Sequence, residues 1–296
     1  MNYVVALGFF DLIHKGHISI FNKTVELAKK LSASPAVFTF SNDIYKVLGK
    51  KSSPINCFSE RVQLISEQGI DKIFSVEGTK EFLSKSGENF LQYLLDNYNP
   101  VAFVCGEDYR CGKNAEFGIG EIKKFCDRHN ILLKVVPLLN HGDQKIGSRL
   151  IKNLLKNGQV DEVSQHLGRY YQIKGVVVDG RKEGRVFGFP TANITPECIY
   201  LKEGVYQTEI LIDGKDYKAV TNVGNHPTIG DEVYNVESYI LDFKGNLYHK
   251  EITVKFIRFL RKIYKFKDKE TLFTQIEKDV YAVKTGSETT IVGEDK

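Results

Sequence analysis

At 296 residues the chain is long enough for two domains of about 150 residues each, and its 42% hydrophobic and 26% charged content is ordinary for a soluble globular protein. The net charge of +4 does not demand a nucleic-acid partner, no apolar run reaches the length of a membrane span, and the N-terminus lacks the basic stretch and cleavage site of a secretion signal. Five cysteines (Cys57, Cys105, Cys111, Cys126 and Cys198) show no C-x-x-C spacing, so reduced thiols in a cytoplasm are expected.

Residues 3–7 (YVVAL) have the apolar run of a buried strand, and residues 18–31 the period of an amphipathic helix. Between them lies GFFDLIHKGH, residues 8–17, which is therefore a strand-to-helix turn. Unpaired N–H groups and the macrodipole make a helix N-terminus attractive to phosphate. His14 and His17 add donors that can be cationic, and Gly16 lets a phosphate approach the backbone between them. Strands are then expected at 35–40, 72–76, 101–105 and 131–137, with helices at 58–67, 87–98 and 119–129. This alternation predicts a parallel sheet with helices on both faces and ligands beyond the carboxyl ends of its strands. Glu60 and Arg61, at the start of one helix, have the pattern of a solvated face.

GFFDLIHKGH resembles the G-x-F-D-G-x-H-x-G-H signature of the nucleotidyltransferase superfamily, and in particular the N-terminal module of the prokaryotic bifunctional riboflavin kinase/FAD synthetase family, with Leu12 where that family usually has Gly. The resemblance implies that Gly8, Phe9, Asp11 and Gly16 shape an ATP site and that His14 and His17 take part in catalysis. After the second strand the family's T-F-x-P-H-P becomes Thr39-Phe40-Ser41-Asn42-Asp43-Ile44. Gly106-Glu107-Asp108-Tyr109-Arg110-Cys111-Gly112 resembles its G-x-D-F-x-F-G loop, which implies flavin contacts for Asp108 and Tyr109. The family's I-S-S-T-x-I-R, which binds triphosphate, is altered most. Ser148 is kept, Gly147 and Arg149 replace a serine and the threonine, and Lys152 replaces the arginine. Lysine lacks the bidentate fork of arginine, and Arg149 could supply it from a neighbouring position.

Residues 148–167 have a helical pattern interrupted at Gly158. From residue 170 short β-branched runs punctuated by Asp-Gly turns predict a small barrel or sandwich, then a helix over 269–280 and a frayed tail from 285. Residues 184–193 (GRVFGFPTAN) resemble the riboflavin kinase motif G-x-x-x-G-R-x-x-G-F-P-T-A-N, with Gly180 as its first glycine. Gly180, Gly184 and Arg185 suit phosphate, and the oxygens of Thr191 and Asn193 suit Mg²⁺. Residues 222–228 resemble the family's N-V-G-x-x-P-T loop, and residues 236–243 its V-E-x-x-x-x-D-F strand, which implies that Glu237 is the general base. Alternation puts Glu237 on a face with Tyr239 and Leu241, unusual company for a solvated glutamate. Arg261 falls in the C-terminal region that contacts flavin in the family.

The resemblance runs from Gly8 to about Asp279. It implies a Rossmann-like FMN adenylyltransferase domain over 1–168 and a riboflavin kinase barrel over 169–296. The implied chemistry is phosphorylation of riboflavin by ATP with Mg²⁺, then adenylylation of FMN to FAD. The protein would work as a monomer or weak homo-oligomer, without nucleic acid or membrane. The changed second signature keeps open a kinase whose adenylyltransferase half is weak or inactive. A flavin-sensing or RNA-binding regulator on the same folds would be expected to lose Thr191, Asn193 and Glu237, which are all present.

Overall fold

The computed structural model describes residues 1–50, 54–142, 144–179, 189–228 and 231–292, with the backbone alone at 141, 225–228 and 231–234. It divides into two compact units, Met1–Leu150 and Ile151–Lys296.

The first unit is a five-stranded sheet in the order β3-β2-β1-β4-β5: β1 Tyr3–Leu7, β2 Ser34–Phe40, β3 Lys72–Val76, β4 Pro100–Gly106 and β5 Leu132–Val136. Every pairing is parallel. β1 is central and apolar on both faces because both faces are covered. Val4 and Ala6 pack with Ile20 and Phe21 of α1 (Lys15–Lys30) and Leu64 and Ile65 of α3 (Phe58–Ser66). Val5 and Leu7 pack with Leu91 and Leu94 of α5 (Gly87–Tyr98) and Ile122 and Phe125 of α6 (Ile119–Arg128). The strand order reverses beside β1, so the loop after β1 opens at the switch point. Cys105, Cys111 and Cys126 are free thiols in the second of these cores, and burial pushes them up to about 12, 12 and 11, so they act as small apolar side chains.

Several short elements were not visible in the period. Asn42 and Asp43 stand where the resemblance leads one to expect Pro and His, and each has a local job. Asn42 Oδ1 accepts from Gly78 N (2.8 Å), while Asp43 Oδ1 accepts from Tyr45 N (2.9 Å) and so caps the short α2 (Ile44–Val47). The one-turn α4 (Lys80–Leu83) and the hairpin β6–β7 (Asn140–His141, Gln144–Lys145) complete this unit.

The helical stretch expected over 148–167 is two helices, α7 (Ser148–Asn157) and α8 (Val160–Leu167), broken at Gly158 with φ +80. Contacts assign α8 to the second unit, where it packs on β8 (Tyr171–Val178) and β13 (Glu251–Arg261). The second unit is a closed barrel in the order β10-β11-β12-β9-β8-β13, with β9 Thr191–Ile194, β10 Gly204–Ile212, β11 Lys215–Thr228 and β12 Asp231–Ile240. Its interior takes Tyr206, Thr208 and Ile210, Ala219, Thr221 and Val223, and Val236, Ser238 and Ile240 in strict alternation, all buried. Thr208, Thr221 and Ser238 form a hydroxyl ladder (2.6 and 2.8 Å) that satisfies its own polar groups. The opposite face of β10–β12 carries Val205, Val220, Tyr239 and Leu241, which pack against Val280 and Val283 of α9 (Lys269–Thr285). Among the described residues no helix is long and apolar enough to cross a membrane.

The chain after 285, expected to fray, is held through residue 292. Thr289 Oγ1 donates to Asp279 Oδ1 (2.8 Å), Val292 N to Gln275 Oε1 (2.7 Å), and Arg258 Nη2 to Ser287 O (2.8 Å).

Candidate active sites

The first site lies in the loop between β1 and α1. Phe10, Leu12 and Ile13 have φ of +54°, +70° and +31°, so three non-glycine residues make a turn in the left-handed region. This accounts for glycine in the motif at position 12. Here Leu12 accepts the strain and is 1% exposed, so apolar burial offsets it. Both Gly8 and Gly16 sit in close approach, tighter at Gly8. A Cβ on Gly8 would lie 2.7 Å from the Phe10 ring, and one on Gly16 would lie 3.0 Å from the His14 ring.

Asp11 is 3% exposed, and its Oδ1 accepts from Ile55 N (2.8 Å) and Asn56 N (3.2 Å). Its carboxylate is a strut that fixes the segment entering α3. The Asp11 carbonyl accepts from Ser148 Oγ (3.3 Å), which brings the start of α7 to the same loop.

Arg61 corrects the expectation of a solvated face. It is 1% exposed. Nη1 donates to Phe9 O (2.8 Å) and Thr39 Oγ1 (3.0 Å), Nη2 donates to Phe40 O (2.7 Å), and the guanidinium lies 4.4 Å from the Phe9 ring centroid. One side chain therefore ties the loop after β1 to the end of β2. Glu60 is likewise engaged, accepting from Asn56 Nδ2 (2.9 Å) and Cys57 N (3.3 Å) at the start of α3.

α1 begins earlier than its apolar period indicates, at Lys15, so His14 is its cap residue and His17 sits in its first turn. The His14 side chain makes no capping hydrogen bond at this end, and no acid occupies its first turn. The two imidazoles stack at 3.7 Å between centroids. Burial, and secondarily His14, hold the His17 imidazole well below its ordinary range, so His17 is neutral rather than cationic at neutral pH. Its Nδ1 is buried with no hydrogen-bond partner among the described residues.

Three further expected residues belong to the first unit. Asp108 is exposed and pairs with Lys145 (2.7 Å), while Tyr109 is half-buried and packs against the core beneath the sheet. Burial pushes the Tyr109 phenol well above its ordinary range. Arg149 is exposed in the first turn of α7. Lys152 Nζ, in the second unit, lies 5.8 Å from the Tyr200 ring centroid.

The second site is a row across adjacent strands of the barrel. Gly180, Gly184 and Arg185 lie outside the described residues. Thr191 and Asn193 sit in β9, a strand whose four residues behind a proline gave no period to read. β9 pairs with β12 so that Asn193 is opposite Glu237 and Thr191 opposite Tyr239, and β11 puts Asn222 opposite Glu237 on the other side. Directly opposed residues share a face, so Asn193, Glu237 and Asn222 line up, with Thr191 one step along. Thr191 Oγ1 donates to Glu237 Oε1 (2.6 Å), and Asn235 Nδ2 donates to Asn193 Oδ1 (3.3 Å). The threonine hydroxyl, the asparagine oxygen and the carboxylate are hard oxygen donors, so the set fits Mg²⁺, which takes few protein ligands beside phosphate and water. Asn222 heads the stretch that resembles the N-V-G-x-x-P-T loop but had no role from the sequence, and strand register sets it beside Glu237.

Two expectations change their basis here. The apolar company of Glu237 reflects the cover of α9 over Tyr239 and Leu241, and so says nothing about a site role. Arg261, expected to meet flavin, is turned inward. Its Nε and Nη2 donate to the Asp279 carboxylate (3.0 and 2.8 Å) and its Nη1 to Lys262 O (3.2 Å), with ion-pair side chains 7% and 1% exposed.

Residues 1–150 match the FAD synthetase family model and residues 167–286 the riboflavin kinase model. A bifunctional riboflavin kinase/FMN adenylyltransferase of Listeria monocytogenes is 32% identical over 285 residues, spanning 94% of this chain and 90% of that protein. One of the same name from Bacillus subtilis is 32% identical over 286 residues, spanning 93% and 90%. A crystal structure named as a macrolide-efflux protein from Streptococcus pneumoniae superposes with a TM-score of 0.86 at 27% identity, covering 96% of this chain and 94% of that one. That name describes an efflux protein, whereas both family models and both relatives name enzymes. With one model on the sheet unit, the other on the barrel and relatives alike over nearly their whole length, this chain belongs to the bifunctional riboflavin kinase/FMN adenylyltransferase family and makes FAD through both activities.

Proposed function

We propose that Glu237 is the general base of the riboflavin kinase step and that the first turn of α1 holds the triphosphate in the adenylyl step. The observation that carries the first assignment is the 2.6 Å hydrogen bond from Thr191 Oγ1 to Glu237 Oε1 across β9 and β12. It occupies one carboxylate oxygen and leaves Oε2 to accept the proton of the riboflavin 5′-hydroxyl as that oxygen attacks the γ-phosphorus and ADP departs. Thr191 and Asn193 would hold Mg²⁺, which when bound offsets the charge of the phosphates. Gly180, Gly184 and Arg185 are assigned to the same phosphates.

In the adenylyl step the FMN phosphate attacks the α-phosphorus of ATP and pyrophosphate leaves. No protein nucleophile is needed, so alignment and charge stabilisation carry the catalysis. The N–H groups at the start of α1 and the unpartnered Nδ1 of His17 suit phosphate oxygens. His17 contributes a neutral donor, while Arg149 supplies positive charge for the leaving pyrophosphate. Gly8, Phe9, Asp11 and Ser148 keep the loop in shape, and Arg61 joins them as a positioning residue. Asp108 and Tyr109 are assigned to the flavin side, and Arg261 to anchoring α9. We place the adenylyltransferase activity in residues 1–150 and the kinase activity in the barrel unit that follows, and the protein in the cytoplasm as a monomer or weak homo-oligomer.

The test is Glu237→Gln, offered riboflavin or FMN with ATP and Mg²⁺, with flavins separated by chromatography. Phosphorylation of riboflavin is expected to fall by about 10²–10⁴-fold, the usual worth of a general base, while FMN is still converted to FAD. Undiminished FMN formation from riboflavin would remove Glu237 from the chemistry.

A further inference from the structure

The kinase residues are linked to the C-terminal helix by three aromatic rings. Phe273 on α9 lies parallel to Phe189, with 6.3 Å between centroids and 7° between planes. Phe189 meets Tyr239 edge-on at 5.1 Å and 77°. Tyr239 is opposite Thr191 in the β9–β12 register and is two residues from Glu237 on the same face. Phe189 precedes Thr191 by a single residue, Pro190, whose ring fixes its own φ and restricts Phe189. Phe189 is thus joined through Pro190 to the start of β9, where the Thr191 hydroxyl lies 2.6 Å from Glu237.

The other end of the relay is anchored. Asp279 accepts from Arg261 of β13 and from Gln275 Nε2 (3.0 Å) and Thr289 Oγ1 (2.8 Å). Gln275 in turn bonds Thr290 O (3.2 Å) and Val292 N (2.7 Å). Both Gln275 and Asp279 are fully buried. α9 is thus pinned to the barrel on one side by this polar cluster and touches the kinase motif on the other through Phe273.

We propose that α9 is a positioning element of the kinase step, in which Phe273, acting through Phe189 and Tyr239, sets the Thr191–Glu237 contact. The inference rests on the assignment of Thr191 and Glu237 to that step. Phe273 is a positioning residue in this scheme: it acts on kcat through the placement of Thr191 and does not bind substrate.

The test compares Phe273→Ala, Phe273→Tyr, Phe189→Leu and the Phe189→Leu/Phe273→Ala double variant in the full chain. Phe273→Ala is expected to lower kcat for riboflavin phosphorylation by about ten-fold with KM little changed, because misplacement of a reacting group costs rate rather than affinity. Phe273→Tyr, which keeps the ring, should restore kcat. FMN adenylylation should be unaffected in every variant, and the unchanged KM for riboflavin shows that the barrel itself is folded. The double variant should lose no more than the worse single one, since both break the same relay. An unchanged kcat in Phe273→Ala, a rise in KM alone, or strict additivity would overturn the proposal. Thr191→Ala, run in parallel, separates the two assignments. If it leaves the kinase intact, the underlying site reading fails. If it disables the kinase while Phe273→Ala does not, only the relay fails.

Discussion

His14 and His17 are three residues apart and meet through the local geometry of a helix start, whereas Thr191 and Glu237 are 46 residues apart and meet because two strands pair in one register. The consequence is a different kind of support. The first site is a strained loop, with three non-glycine residues in the left-handed region, and it depends on buried charge: Arg61 brought from α3 onto Phe9 O, and the loop's own Asp11 reaching the backbone of Ile55 and Asn56. The second site rests on a β-ladder whose backbone bonds already place the side chains. Its distant support is a helix, pinned through Arg261 and Asp279. Motif residues in the loop are thus largely struts, while Thr191 and Glu237 in the barrel are held to each other by the ladder itself.

Breaking the buried pair should have the largest effect on stability. Asp279→Ala leaves the Arg261 guanidinium uncompensated at 7% exposure and should destabilise the barrel by about 3–5 kcal/mol, whereas a double Arg261→Met/Asp279→Leu variant should lose much less. Hydrogen exchange of the β10–β13 amides under increasing denaturant reads this, and equal losses in both variants would mean that the pair itself carries the stability.

The matching lesion in the first site is Arg61→Met, expected to cost about 2–3 kcal/mol by removing charged hydrogen bonds to Phe9 O, Thr39 and Phe40 O. FMN adenylylation should fall while riboflavin phosphorylation is retained, and Arg61→Lys should not rescue it, because one ammonium cannot span the three acceptors. Equal loss of both activities would blur the contrast between the sites.

A finer test addresses the strain. Leu12→Ala loses the buried side chain and keeps φ at +70°, while Leu12→Gly loses the side chain and relieves the strain. Glycine should therefore be more stable than alanine by about 1 kcal/mol, the reverse of the usual order, in thermal melts of the first unit.

The smallest effect is electrostatic. Burial lowers the His17 pKa below 6.5, so the unfolded chain takes up a proton there before the folded one does. Stability is at its full value above about pH 6.5 and falls as pH drops from there towards the folded value. His17→Asn should flatten that part of the pH–stability curve, and an unchanged slope would assign it to another group.

Much of this was legible in the sequence, since β1 to β5 and α5 follow their apolar period closely, and the His14–His17 turn was placed by its flanking strand and helix. What was not legible has physical reasons. Arg61 looks like a surface residue because its acceptors are carbonyls at the ends of β1 and β2, which no local pattern reveals. β9 is four residues behind a proline, too short for alternation to show. The tail beyond Thr285 is polar and looked unsupported because its partners, Gln275 and Asp279, are polar residues buried in a helix that the period leaves unremarked.

The most direct test of two separately built sites is complementation in solution. His17→Asn and Glu237→Gln are each incubated with riboflavin, ATP and Mg²⁺, then mixed, and flavins are followed by chromatography. His17→Asn alone should accumulate FMN, Glu237→Gln alone should leave riboflavin unchanged, and the mixture should make FAD. If either single variant loses both steps, or the mixture makes no FAD, the two sites do not work independently and the account is contradicted.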